Sequence, residues 1–259
     1  AVVLAVPSRY FRKTVSSLAL VLPRPRPSIL SVTKGLDEQT LKRMSEVAGE
    51  VLGEGPVAAL SGPSLAAEVA RGVPTAVTIA CADPVRAVSL QQLLNSPVFR
   101  VYTSDDVVGV ELGGALKNVI AIAAGVCDGI GFGDNSKAAL ITRGLAEISR
   151  LGAAMGAHPA TFSGLSGMGD LVVTCTSKLS RNRGVGERLG KGETIKAILG
   201  SMQQVAEGVW TCSTARTLAH ELKVQLPIAD EVYAVIHKGK DPRKAVETLM
   251  TREPKRERD

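Results

Sequence analysis

The sequence predicts two unlike halves: a largely parallel α/β sheet over residues 1–105 and an all-helical domain over residues 106–259. Three observations lead there. Short apolar, β-prone runs alternate with helix-sized segments as far as Ser104, the texture of a parallel sheet with helices on both faces. After Ser104 no convincing strand follows, and helix-sized segments succeed one another. Hydrophobic residues make up 45% of the chain but aromatics only 3%, with 26 glycines, so the core is aliphatic and its backbones pack closely. At 259 residues there is enough chain for two cores.

The elements follow in order. Residues 1–7, AVVLAVP, form an unbroken apolar run ended by proline, which reads as a strand buried on both faces that opens in mid-sheet. Residues 10–22 suit a helix, 23–27 an extended proline-rich connection, and 29–33 a second strand that ends on Lys34 and Gly35. Helical spacing at Leu41, Met44, Val47, Ala48 and Val51 predicts a helix over 36–53 with Asp37 as its N-cap. A strand at 56–60, a tight turn at 61–64 and a short helix at 65–71 come next. A strand at 76–82, a helix at 84–95 and a last strand at 98–103 complete the first half. The second half divides into helices at 107–125, 136–155, 159–162, 183–191, 194–199, 211–222, 228–237 and 242–250.

Composition narrows the function classes. Much of the net charge of +6 lies toward the ends, in RPRP and in the TREPKRERD tail, without interleaved aromatics or a recognition motif. Nucleic-acid binding is therefore not supported, and a modest positive excess suits the steering of small anions. Cys81, Cys127, Cys175 and Cys212 are scattered singly and read as free buried thiols, and with three histidines no metal site is expected. No apolar run reaches the roughly 18 to 20 residues of a membrane span and no signal peptide is recognisable, so a soluble intracellular protein is expected.

The chemistry centres on VELGGALKNVIAIAAG at 110–125, where Lys117 and Asn118 are the strongly polar pair in a run of small and apolar residues. A lysine in such a helix has a readily lowered pKa and can serve as a general acid or base, unless it snorkels at a helix edge. Gly113 and Gly114 would each cost a helix about 1 kcal/mol unless something packs closely on that backbone. Three further groups stand out. Lys34-Gly35 at a strand end and SGPS at 61–64 offer a cation and backbone N–H groups, or are two ordinary loops. GLSGMGDLVVTC places Asp170 after small residues that allow a ligand's close approach, or that merely connect helices. In SRNR at 180–183, Arg181 and Asn182 precede a helix and suit either a phosphate grip or a solvated cap. Residue types alone lead to an anionic small substrate handled by a lysine acid/base.

Five motifs in order carry a resemblance across nearly the whole chain: KG at 34–35, SGPSLAAEVA at 61–70, GVELGGALKNVIAIAAG at 109–125, GLSGMGDLVVTCTS at 164–177 and SRNRGVG at 180–186. The chain closely resembles bacterial NAD(P)-dependent glycerol-3-phosphate dehydrogenases. The resemblance implies an incomplete Rossmann-like parallel sheet domain, the C-terminal part of a dinucleotide-binding domain, over 1–105. It implies a helical substrate and catalytic domain over 106–259, like the C-terminal domain of 6-phosphogluconate dehydrogenase. It further implies a cytoplasmic homodimer that interconverts dihydroxyacetone phosphate and sn-glycerol 3-phosphate and supplies the latter for phospholipid synthesis.

By the same resemblance Lys117 is the general acid/base, oriented with the substrate hydroxyl by Asp170, with Thr174 one helical turn on assisting. Lys34 helps polarise and hold the substrate and also borders the cofactor, while Gly62 and Ser64 belong to the substrate loop. Ser180, Arg181 and Asn182 grip the phosphate. Ala66, Arg181, Val205 and Glu207, the last two in QQVAEGV, contact the cofactor, which is NAD or NADP with no readable preference. One departure accompanies these matches: no GxGxxG turn occurs in this sequence, and the resemblance implies that roughly 70 to 80 residues of the dinucleotide-binding domain lie upstream. The alternatives are another β-hydroxyacid dehydrogenase-like enzyme, or a truncated chain that binds substrate without catalysis.

Overall fold

Five strands form one sheet in the order β1-β2-β3-β4-β5, namely β1 (Val2–Leu4), β2 (Ile29–Ser31), β3 (Ala58–Ser61), β4 (Thr75–Ala80) and β5 (Phe99–Ser104). The computed structural model describes residues 1–53, 55–254 and 256–257; Lys255, Arg258 and Asp259 of the charged tail lie outside the described residues. Four helices accompany the strands: α1 (Ser8–Ala19), α2 (Met44–Leu52), the single turn α3 (Ala66–Val69) and α4 (Pro84–Leu94). Alternation along each strand divides them between the two faces. Ile29 packs with Phe11, Val15, Met44 and Val47 of α1 and α2, whereas Leu30, Ala58 and Leu60 face Ala87 and Leu90 of α4.

The sheet departs from the expected parallel pattern in one pair. β1–β2, β2–β3 and β4–β5 are parallel, but β4 runs antiparallel to β3. The cause is the length of α3. A four-residue helix rises only about 6 Å, too little to carry the chain back along β3, so β4 returns beside it. A second correction concerns α2, which begins at Met44 and not near residue 36. Asp37 caps a turn instead, accepting from the Gln39 and Thr40 N–H groups and the Thr40 hydroxyl, and the chain reverses through Leu41 at φ 60. The true helix start is secured by Glu46, which accepts from the Arg43 N–H at 2.8 Å.

Beyond Ser104 the chain is helical: α5 (Val107–Ile130), α6 (Asp134–Ala154), a 3-10 turn at Pro159–Ser163, a π-helical turn at Leu165–Gly169, then α7 (Asp170–Thr176). The remainder is α8 (Arg181–Gly190), α9 (Ile195–Ser201), α10 (Gly208–Glu221), α11 (Pro227–Lys238) and α12 (Pro242–Met250). α7 was not among the expected helices, because its glycine-rich approach reads as a loop; a wide π turn runs straight into it. Arg181 and Asn182, expected before a helix, form the first turn of α8, with Ser180 as N-cap accepting from the Arg183 N–H at 3.2 Å.

α5 is the axis of this half. Val110, in its first turns, packs on Ala59 and Ala80 of the sheet, and the other helices surround its length. The expectation that no segment is long enough to span a membrane fails on length: α5 has 24 residues and is sufficiently apolar. Burial within the helical core accounts for that composition. Its glycines are explained by close packing, because a Cβ on Gly113 would strike the Ser166 carbonyl and one on Gly114 would lie 2.6 Å from the Ser61 hydroxyl. Further along, α5 and α8 meet backbone to backbone. A Cβ on Gly125 would collide with the Arg183 carbonyl, and one on Gly186 with the Ile122 carbonyl.

Candidate active site

A cleft of about 710 Å³ opens where the carboxyl ends of β1 and β2 face the helical half. In open α/β sheets ligands bind at that edge. Lys34 reaches it from the end of β2, Lys117 from the middle of α5, and Thr174 from α7.

Behind the cleft lies Asp170, whose side chain is 1% exposed. Its Oδ1 accepts from Lys117 Nζ at 2.5 Å, and its Oδ2 from Lys34 Nζ at 2.6 Å. The Ser61 hydroxyl and the Gly62 N–H approach Oδ2 at 3.2 and 3.4 Å. Thr174 completes the cage: its hydroxyl accepts from Lys117 Nζ at 2.7 Å and donates to the Asp170 carbonyl one turn earlier. Lys34 Nζ also donates to the Gly62 carbonyl at 3.0 Å, at a glycine whose φ of 137 few side-chain residues adopt.

This arrangement sets the protonation states. Burial lowers the Lys117 pKa, the neighbouring Lys34 charge lowers it further, and Asp170 opposes both, leaving it at about 8. Burial alone would raise Asp170, but the two ammonium groups outweigh it and hold the carboxyl below its ordinary range. The outcome is a fixed anion and a lysine that can release or accept a proton near neutral pH. Cys175 lies beside them, its thiol pushed up to about 12 by burial.

The other expected residues gather around the same cleft. Ser64, whose hydroxyl donates to the Gly62 carbonyl, and Ala66 at the start of α3 form one wall. Ser180, Arg181, Asn182, Val205 and Glu207 line the cleft from the helical half. Arg181 is exposed and, among the described residues, has no hydrogen-bond or ion-pair partner. Asn182 is more committed: its Nδ2 donates to Asn118 Oδ1 and its Oδ1 accepts from the Gly208 N–H, both at 2.9 Å. Glu207 is also engaged, by Ser8. Sequence reasoning missed Ser61 and gave no role to Asn118, which donates to the Lys34 carbonyl at 3.3 Å. Their signals were adjacency alone: Ser61 opens the SGPS turn and Asn118 follows Lys117.

A lysine that can protonate an oxygen, held by a carboxylate at the carboxyl edge of a strand–helix sheet and covered by a helical domain, is the construction of a two-domain dehydrogenase. Comparison with known proteins takes the class to a family. The profile described as NAD-dependent glycerol-3-phosphate dehydrogenase N-terminus matches residues 1–87, and its C-terminal counterpart matches residues 106–247. Enzymes named glycerol-3-phosphate dehydrogenase [NAD(P)+] from Geobacter metallireducens and Myxococcus xanthus are each 54% identical over 99% of this chain and 77% of their own length. The crystal structure of glycerol-3-phosphate dehydrogenase from Coxiella burnetii superposes with a TM-score of 0.93 at 39% identity, covering 96% of this chain and 76% of that one. The chain belongs to the NAD-dependent glycerol-3-phosphate dehydrogenase family.

The residues present fit the nicotinamide-bearing end of such a cofactor. Val6, Pro7 and Val32 at the strand ends also line the cleft and give it apolar surface suited to a flat ring, and its volume of about 710 Å³ lies within the usual range for ligand sites.

Proposed function

We propose that this chain carries its family's activity, the NAD(P)-dependent interconversion of dihydroxyacetone phosphate and sn-glycerol 3-phosphate, with Lys117 as the proton donor and acceptor. The observation that carries this is the Lys117–Asp170–Lys34 line at the cleft, an anion held between two ammonium groups of which one titrates near neutrality.

The nicotinamide cofactor supplies or accepts the hydride when bound. In the reducing direction Lys117 Nζ gives its proton to the substrate's carbonyl oxygen, which becomes the hydroxyl of the product; in reverse it takes that proton back. Asp170 keeps the ammonium aimed and stays ionised throughout, and Thr174 fixes the lysine's remaining orientation. Lys34 adds positive charge beside the carbonyl oxygen as negative charge develops there. Arg181, in the first turn of α8 with a guanidinium that has no partner among the described residues, takes the phosphate with Ser180 and the second N–H of Asn182. Gly62 and Ser64 border the substrate, and Ala66, Val205, Glu207, Lys34 and Arg181 border the cofactor.

The domain division we assign falls between Ser104, the end of β5, and Val107, the start of α5. Four buried free thiols support a reducing cytoplasmic setting, and the family resemblance supports a homodimer. The test follows nicotinamide absorbance when dihydroxyacetone phosphate is added to the purified protein with NADH or NADPH. Turnover is expected to weaken as pH rises through about 8, as Lys117 loses its proton. Lys117→Ala should lower it by about 10³-fold or more. Undiminished turnover in that variant would refute the role of Lys117.

A further inference from the structure

Beside the cleft the two halves also meet through a polar contact. Glu207, immediately before α10, accepts from the Ser8 N–H at 2.9 Å and from the Ser8 hydroxyl at 2.5 Å. Pro7 offers no side-chain cap to α1 and no acidic residue stands in its first turn. The helical half therefore caps a helix of the sheet half, with a carboxylate at the positive end of α1. Next to this contact the Arg9 guanidinium lies 4.6 Å from the Trp210 ring centroid, a second bond from α1 to α10.

Gly35 ties this contact to the site. A Cβ there would lie 2.6 Å from Ser8 Cβ, 2.7 Å from Ser8 Oγ and 3.2 Å from Glu207 Oε2, so the pair closes against bare backbone. That backbone belongs to the residue after Lys34. Lys34 is thus held on both sides, by Asn118 on its own carbonyl and by Ser8–Glu207 against the next Cα.

We propose that Ser8, Gly35 and Glu207 form an interdomain latch that positions Lys34 against Asp170, with Trp210 beside it as a built-in reporter. Ser8 and Gly35 are positioning residues. The inference rests on the reading of Lys34 as a substrate-holding residue, and it accounts for the glycine of the KG motif by contact.

The test uses the emission of Trp210, the one tryptophan in the sequence, together with calorimetric binding of glycerol 3-phosphate to the intact chain. Arg9→Ala calibrates how emission responds when the ring loses its cation. Ser8→Ala keeps the backbone bond but removes the hydroxyl; we expect red-shifted Trp210 emission and about tenfold weaker binding. Ser8→Thr, which retains the hydroxyl, should restore both. Gly35→Ala should move the same two readouts further, and where it does not fold, the Ser8 pair decides. A folded Ser8→Ala chain with wild-type emission and affinity overturns the latch, as does a Ser8→Thr chain that behaves like Ser8→Ala. Should the wild type not bind glycerol 3-phosphate, the substrate reading fails and the emission comparison alone decides the latch.

Discussion

α5 carries two buried charges six residues apart, and their different fates explain why its first turns are structure and its middle chemistry. Glu111 is closed in: it accepts from Arg43 Nη1 at 2.7 Å, the Ser45 N–H at 2.8 Å and the Ser45 hydroxyl at 2.6 Å. Arginine does not give up its proton, so the cation there cannot serve as an acid. Lys117 faces a carboxylate with two cations, and its own pKa lies at about 8. Glu147 of α6 extends the comparison. It accepts from the Ile228 and Ala229 N–H groups at the start of α11, with no ion pair among the described residues.

Cations in contact separate the three carboxylates. Asp170, with two, is held below its ordinary pKa, whereas burial raises both Glu111, where it outweighs the single Arg43, and Glu147, with none, the latter up to about 7. Burial is common to all three. What differs is compensation, and only the overcompensated carboxylate is a dependable partner for a titrating lysine.

The largest effect that could break this contrast comes from Asp170→Asn. Two ammonium groups would face each other without an anion between them; we expect kcat to fall by about 10² to 10³-fold and the pH limb to move to lower pH, because Asp170 is what raises Lys117. A pH–rate profile with its limb unmoved would show that the cage does not set the lysine. Glu111→Gln should instead cost about 3 kcal/mol in denaturant unfolding, because Arg43 loses its buried carboxylate and keeps only the exposed Glu46 as an ion partner, while leaving that limb in place. A shifted limb there would erase the distinction between the start and the middle of α5.

The smallest effect belongs to Glu147. Its pKa is raised from 4.5 to about 7, so its contribution to stability is full below about 4.5 and is lost as pH rises through about 7. Glu147→Gln should flatten that slope in thermal unfolding followed from pH 5 to 8, an effect on the order of 2 kcal/mol. An unchanged slope would remove Glu147 from the series.

Much of this was legible from local pattern. Lys117 stands out because an ammonium inside an aliphatic run demands compensation, and the β-α alternation follows from short apolar runs between helical spacings. What local pattern could not carry was pairing across the chain. Asp170 lies 53 residues from Lys117 and 136 from Lys34, and Ser8 lies 199 from Glu207, so these partners emerge from motif resemblance or from the fold itself. The antiparallel β4 was hidden because its cause is the brevity of α3, and the late start of α2 because Asp37 caps a turn as readily as a helix.

The glycine contact between α5 and α8 has a final consequence. Lys117 and Arg181 stand on two helices whose backbones touch with no side chain between them. On the proposed reading these residues hold opposite ends of the substrate, carbonyl and phosphate. Their separation then acts as a gauge without a flexible part. It would sort substrates by the number of carbons between the two groups, and no residue need be dedicated to that selection.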